Sequence, residues 1–387
     1  MTTAYKKQDV IDKTTEDTIL ITGNQAIAQA VVRCKPKVIP AYPITPQTAI
    51  VEAIIDMIDS GEFKTELILL ESEHSVMAAA IGASLAGART YTATASHGLL
   101  YMGELVYWAG MTRVPVCIAN VNRALNPWNI WADHSDSMVM RDAGWVQMYG
   151  KNNQEVLDMT IQSFRIAEHH KIYMPTMVCL DAFILSHTSQ LVQVPKGEYV
   201  DEFVGEFKPL AKLDPAEPFA HGSLTGAKEL VELRQSIIDS MENAKMIIPK
   251  ITKEYAEKFG RYYGDFLEIT GDLDEAKVAI VSMGTLGEET EMAIKELERE
   301  GIKAAGVRIR YFRPFPKKEL VEALAKVEKV IIMDRAVSFG NEGQIAIETK
   351  AALYDAGVKV EMHPLIRGIG GSDVTFQDIM NEVKKVL

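Results

Sequence analysis

The sequence predicts an α/β chain built on doubly wound, mostly parallel sheets. Short apolar runs alternate with segments of helical period along most of its length. Polar, chemistry-bearing residues gather where the apolar runs stop, and in open α/β sheets ligands bind beyond the carboxyl ends of the strands. A length of 387 residues is too great for one ordinary core, which makes two domains the natural reading.

Met1 to Asp17 is polar, of mixed charge and without an apolar stretch, so it reads as an N-terminal arm and not as a signal peptide. Thr18 to Thr22 is a short strand, and Gln25 to Cys34 a helix. Val38 to Tyr42 is a second strand, stopped by Pro43 and Pro46. Proline fixes its own φ and restricts the residue before it, so this turn is stiff enough to hold Thr45 in one place. Gln47 to Ser60 carries apolar residues at helical spacing (Ala49, Ile50, Ile54, Ile55, Ile58) and ends at Gly61. Glu66 to Leu70 is a third strand that leaves Glu71-Ser72-Glu73 at its carboxyl end. Ser75 to Gly87 is a helix of small residues, suited to close packing in a core or at a subunit interface.

Arg89 to Ala95 is the next strand, and Ser96-His97-Gly98 turns into a helix that runs to Trp108. Val114 to Asn120 is a strand that delivers Asn122-Arg123. The loop from Ala124 to Asp136 is long and aromatic, which points to function in a compact domain. Trp145 to Tyr149, a helix from Gln154 to His169, and Thr176 to Asp181 complete the alternation. From Gln190 to Asp274 prolines and charges dominate; this stretch reads as connector and outer layer, with one or two solvated helices between Gly226 and Phe259. A second α/β unit starts at Lys277, with strands at 278–282, 304–309 and 330–333. The expected division is an arm at 1–17, a first domain with its connector at 18–250, and a second domain at 251–387.

A formal charge of -12 argues against nucleic acid as a partner, since binding its phosphates needs a basic face. No stretch is long and apolar enough for a membrane span. Cys34, Cys117 and Cys179 are far apart, form no CxxC and read as small buried hydrophobes. They suggest no disulfide framework, so a reducing cytoplasm is expected. Gly284-Thr-Leu-Gly287 lacks the spacing of a nucleotide loop and reads as a tight strand-to-helix turn. Asp133-His134-Ser135-Asp136 reads as a loop held by Asx-type hydrogen bonds. Two glycine-rich loops, Ser338 to Gly343 and Arg367 to Gly371, are expected to line an interface or a ligand. A hydroxyl (Thr45), a carboxylate (Glu73) and a guanidinium (Arg123) delivered to one rim make a plausible site for an acidic substrate.

Taken together, Tyr42-Pro-Ile-Thr-Pro46, Glu71-Ser-Glu-His74, Ala93-Thr-Ala-Ser-His-Gly-Leu-Leu100 and Asn122-Arg-Ala124 running on to Ile130-Trp-Ala-Asp-His-Ser-Asp136 resemble one family. It is the alpha subunit of pyruvate:ferredoxin oxidoreductase (pyruvate synthase) and related 2-oxoacid:ferredoxin oxidoreductases. The resemblance extends through Cys179 to His187, Arg310 to Pro316 and Asp334-Arg335 with Ser338-Phe-Gly340, nearly the whole chain.

The resemblance implies a pyrimidine-type thiamine-diphosphate domain followed by a transketolase C-terminal-like α/β domain. It implies a cofactor shared with a beta subunit that holds the diphosphate and Mg²⁺, and iron–sulfur clusters on other subunits. Beta, gamma and delta subunits, ferredoxin, coenzyme A and a 2-oxoacid are the implied partners, with no nucleic acid and no membrane. By motif position Glu73 would bond the aminopyrimidine ring, with Pro43 and Ile44 beside the cofactor. Thr45 and Arg123 would meet the substrate carboxylate, and Trp128 would face the substrate side chain. No metal ligand is implied on this chain. Pyruvate is the first substrate expected, a branched-chain or aryl 2-oxoacid the second. A non-catalytic scaffold subunit is the alternative of another kind, and intact Thr45, Glu73 and Arg123 weigh against it.

Overall fold

The computed structural model describes residues 7–387. The first six residues of the predicted arm lie outside the described residues; of the remainder, Lys7–Thr14 is a helix and Thr15 already opens a strand. Fourteen strands are present among the described residues: β1 (Thr15–Thr22), β2 (Val38–Ala41), β3 (Glu66–Leu69), β4 (Tyr91–Thr94), β5 (Cys117–Asn122), β6 (Val146–Tyr149), β7 (Thr176–Asp181), β8 (Ser189–Pro195), β9 (Leu267–Thr270), β10 (Val278–Met283), β11 (Ala304–Ile309), β12 (Tyr311–Arg313), β13 (Lys329–Asp334) and β14 (Glu361–Ile366).

The first sheet has the order β12-β6-β7-β5-β4, parallel except for β12. The parallel pair β2–β3 continues it past β4 through a single bridge, Val38 to Thr90. The ladder thins there beside Pro40, which has no N–H to give; the Thr92 hydroxyl donates to the Pro40 carbonyl at 2.8 Å instead. The second sheet has the order β14-β13-β10-β11-β9, with β9 antiparallel at its edge. β5, β7, β10 and β11 are buried along their whole length, as strands covered on both faces must be. Their near-unbroken apolar runs are what made them legible.

Three parts of the architecture depart from expectation. Gln190 does not open a connector: β8 pairs antiparallel with β1 in a two-stranded sheet of its own. Its period of two is plain once paired, with Val192 and Val194 buried and Leu191 70% exposed. The segment 226–259 is a single 33-residue helix, Ala227–Phe259, and it is solvated on nearly every face only in its first part. From Ile237 onward one face (Ala244, Ile248, Ile251, Tyr255, Phe259) joins the core around the helices Gly23–Cys34 and Asn153–Ala167. Finally, β12 follows the second domain's β11 in sequence, yet it adds to the first domain's sheet, Tyr311 opposite Met148 and Arg313 opposite Gln147.

A second core runs unbroken through both sheets, from Val76, Leu99 and Trp145 to Val281, Phe312 and Ile345. Beside it lies a buried ionic network. Glu155 Oε1 accepts from Arg308 Nη2 at 2.7 Å and Arg310 Nε at 2.8 Å. Arg308 Nε also reaches Glu268 at 2.7 Å, and Lys151 Nζ bridges Glu268 (2.9 Å) and Glu291 (2.7 Å). The two arginines overcome the cost of burial and hold the Glu155 carboxyl down at about 2.

Candidate active site at the strand ends of the first sheet

The turn after β2 carries Pro43 and Thr45, both exposed, and Ile44, which packs half-buried on the first core. Buried side chains fix this turn: Asn24 Nδ2 donates to the Pro46 carbonyl at 2.7 Å, and Gln47 Oε1 accepts from Ile44 N at 3.3 Å. Arg123, one residue past β5, reaches across to it, and its Nη1 donates to the Thr45 carbonyl at 2.9 Å. Arg123 Nε donates to the Asn129 carbonyl at 3.1 Å, while Nη2 finds no partner among the described residues. Arg123 is only 8% exposed, and no described carboxylate ion-pairs with it. Burial penalises the Arg123 charge and lowers its pKa, with the Asp136 carboxylate behind it pulling the other way.

Behind Arg123 lies Asp136, fully buried. Its Oδ2 accepts from Ser96 N at 2.9 Å and Arg123 N at 3.1 Å, and its Oδ1 from Asn122 Nδ2 at 2.8 Å and Ser137 N at 2.7 Å. Burial pushes this carboxyl up to about 6 against the opposing pull of those donors. Asp133 likewise accepts from Ser135 N at 2.8 Å, so the Asx-type reading of 133–136 describes the loop. The sequence did not reveal that Asp136 also binds two remote segments.

Ser96 leads to Glu73. The helix Ser96–Tyr101 opens with Gly98 set directly against it: a Cβ on Gly98 would lie 2.6 Å from Glu73 Oε1 and 2.5 Å from Thr94 Oγ1. Only glycine fits there. Glu73 opens the helix Glu73–Leu85, capped by Ser72, and is not the end of a strand. It is 8% exposed, and no described residue donates a hydrogen bond to its carboxylate or pairs with it. A buried carboxylate with vacant acceptors beside a glycine suits a flat ring bearing N–H donors, which is the test a thiamine pyrimidine must pass. Thr45 and Arg123 thus touch each other, and Glu73 joins them through Gly98, Ser96 and Asp136.

Trp128 is 78% exposed and packs against His97, ring centroids 4.6 Å apart and planes tilted by 38°. The Ser96 hydroxyl donates to the Ala124 carbonyl at 2.6 Å, and a carbonyl can only accept. Toward His97 Nδ1, 3.1 Å away, Ser96 Oγ is therefore the acceptor, and this assigns the His97 proton to Nδ1. The expected glycine-rich loops close the other side of the 124–131 loop. Val337, Phe339, Ile369 and Gly370 face Leu125 and Pro127 across a cavity of about 370 Å³. Gly371, at φ +77°, passes so near Trp131 that a Cβ would come within 2.3 Å of it. The Gly284 turn also docks on the first domain, where Thr285 N donates to Asp181 Oδ2 at 3.1 Å and Asp181 Oδ1 pairs with His134 at 2.6 Å. All three cysteines are free and buried. Among the described residues no helix is long and apolar enough to cross a membrane.

Comparison with known proteins gives this geometry its class. Residues 29–253 match a family model described as pyruvate flavodoxin/ferredoxin oxidoreductase, thiamine diphosphate-binding, and residues 276–379 match pyruvate:ferredoxin oxidoreductase core domain II. The chain is thus a subunit of a 2-oxoacid:ferredoxin oxidoreductase, an oxidoreductase of the 2-oxo group. The ketoisovalerate oxidoreductase subunit VorA of Pyrococcus horikoshii is 43% identical over 95% of this chain and 94% of its own length. The pyruvate synthase subunit PorA of Methanocaldococcus jannaschii is 43% identical over 95% of each. The chain belongs to the pyruvate synthase alpha-subunit family.

Among solved structures, 2-oxoglutarate:ferredoxin oxidoreductase from Magnetococcus marinus aligns at a TM-score of 0.73 with 21% identity, over 95% of this chain and 65% of that longer one. A split-gene transketolase aligns at 0.53 with 15% identity, over 94% of this chain and 97% of that one. These two support the fold alone, a thiamine-diphosphate-type α/β domain followed by a transketolase-like one.

Proposed function

We propose that this chain is the alpha subunit of a pyruvate synthase. With coenzyme A the complex converts pyruvate to acetyl-CoA and CO₂, reversibly, and passes the electrons to ferredoxin. The observation that carries the proposal is the buried Arg123 guanidinium, which has no carboxylate partner and lies against the Thr45 turn. A planar fork is the natural anchor for a 2-oxoacid carboxylate, and the exposed Thr45 hydroxyl adds a donor that fixes its orientation.

Thiamine diphosphate, when bound, supplies the nucleophilic carbon for the 2-oxo group. Glu73 accepts from the aminopyrimidine ring, and its poorly solvated carboxylate favours the protonated ring nitrogen that cofactor activation needs. Pro43 and Ile44 border the ring from the β2 turn. The diphosphate and its Mg²⁺ belong to a beta subunit. Iron–sulfur clusters lie on other chains, with gamma and delta subunits completing a cytoplasmic complex.

A second substrate has specific support. The VorA and PorA relatives above are equally similar at 43%, and the exposed Trp128 ring, on the loop beside Arg123, is large enough to pack on a branched or aryl side chain. Assaying the purified complex against a panel of 2-oxoacids, with a ferredoxin-type acceptor and coenzyme A, tests the assignment. The highest kcat/KM is expected for pyruvate; a clear preference for 2-oxoisovalerate or an aryl 2-oxoacid replaces it with the second reading. Calorimetry tests the shared site. Little thiamine diphosphate should bind the isolated chain, and adding the beta subunit with Mg²⁺ should restore binding. Tight, Mg²⁺-dependent binding by the isolated chain would refute the sharing.

A further inference from the structure

We propose that Asp136 is a positioning residue that sets Arg123 by tying its strand end to the turn facing Glu73. The inference rests on the reading of Arg123 as the anchor of the substrate carboxylate. Its basis is the way one carboxylate is used. A residue serving only its own turn needs Ser137 N, which Asp136 Oδ1 accepts at 2.7 Å. Oδ2 has no part in that turn. Both of its bonds go elsewhere in the chain, to Ser96 N at 2.9 Å and Arg123 N at 3.1 Å. Two segments that meet at one oxygen atom cannot slide independently.

The surroundings make the clamp demanding. Asp136 is fully buried, and no cationic side chain pairs with it among the described residues. An unpaired buried carboxylate is costly, and here only N–H donors offset the cost. An alanine could not accept at all, and a hydroxyl could not reach two segments while also serving Asn122 and Ser137. Ser96 sits at φ +49°, a backbone conformation that L side chains rarely adopt. It is held there by its N–H to Asp136 and by its hydroxyl to the Ala124 carbonyl, the residue after Arg123. Two residues on, Gly98 touches the Glu73 side chain. A shift at Asp136 therefore moves the anchor relative to the carboxylate that faces the cofactor.

The test uses the assembled complex with all its subunits. Asp136→Ala is expected to lower kcat/KM for the 2-oxoacid by about 10²-fold, the scale of a misplaced anchor. Ser96→Ala, which keeps the N–H to Asp136 but removes the hydroxyl's bonds to the Ala124 carbonyl and to His97 Nδ1, should lower it less but in the same direction. Asp136→Asn should recover most of the activity while lowering the thermal midpoint, because its one oxygen can still accept from Ser96 N and Arg123 N while its amide group meets the Ser137 N–H donor. In an Arg123→Ala background Asp136→Ala should cause little further loss, since residues that act through one another are not additive. A purely structural role would multiply the two losses, and that result overturns the proposal. So does wild-type kcat/KM in Asp136→Ala. If that variant does not assemble, unchanged kcat/KM in Ser96→Ala overturns it instead. Unchanged kcat/KM in Arg123→Ala alone defeats the reading of the site, so the two failures are told apart.

Discussion

The domain junction and the strand-end rim both bury charge, but they treat it in opposite ways. At the junction Glu155 meets Arg308 and Arg310, and Lys151 meets Glu268 and Glu291. Each of these charges finds its opposite within the chain. At the rim Glu73 and Arg123 are just as poorly exposed, yet neither has an ionic partner among the described residues. The first arrangement completes itself and holds two domains together. The second leaves both charges without an ion pair among those residues, and the proposed site draws on that. Burial of a charge alone therefore does not mark a site; burial without a partner does.

Substitutions should separate the two regions by what they damage. The largest effect is expected at the rim. Glu73→Gln should leave fold and assembly intact and lower turnover of the complex by about 10²–10⁴-fold. Wild-type turnover would remove Glu73 from the activating role. Next is Glu155→Ala, which leaves Arg310 without an ion pair among the described residues and Arg308 with Glu268 alone, and should cost about 3–5 kcal/mol of stability in denaturant titrations. Turnover per folded complex should hardly change, and a large fall in it would erase the distinction drawn above.

The same residue gives a pH signature. The Glu155 carboxyl is depressed in the folded chain to about 2 from an ordinary 4.5. Its contribution to stability is therefore complete above the unfolded value and is lost as pH falls from there through about 2. In Glu155→Gln that part of the acid sensitivity should disappear, as thermal melts across the range would show.

Arg123→Ala removes a charge-assisted bond of roughly 1.5–3 kcal/mol and should lower kcat/KM for the 2-oxoacid accordingly. Thiamine-diphosphate affinity should be spared, and Thr45→Ala should act in the same direction more mildly. A collapse of cofactor affinity alone would move Arg123 to a different role. The smallest change is expected from Trp128→Ala, which should reorder preference between pyruvate and bulkier 2-oxoacids with little effect on cofactor binding. An unchanged ranking would make Trp128 a loop anchor.

What the sequence disclosed follows from how local each signal is. Strands buried on both faces announce themselves as apolar runs, so β5, β7, β10 and β11 were legible. β8 and β9 were not, because their partners lie far away and their polar, half-exposed residues look like connector. The chemistry-bearing residues could be picked out because proline, glycine and charge interrupt the apolar runs just before them. Their fixings could not. Nothing near Asp136 in the sequence indicates that Ser96 N and Arg123 N converge on one of its oxygens, and nothing near Gly98 indicates that Glu73 fills the space a side chain would need.

The three-residue strand β12 has consequences for how this protein comes apart. It belongs by sequence to the second domain but closes the edge of the first domain's sheet beside β6. Cutting the chain before residue 276 would leave that edge uncovered, and an uncovered strand edge invites pairing with other chains. The N-terminal piece expressed alone should accordingly tend to aggregate, and supplying residues 311–313 in tandem should relieve it. For the same reason the whole chain should melt as one unit, with a single cooperative transition, and proteolytic nicking between the two sheets should not release two independently stable fragments.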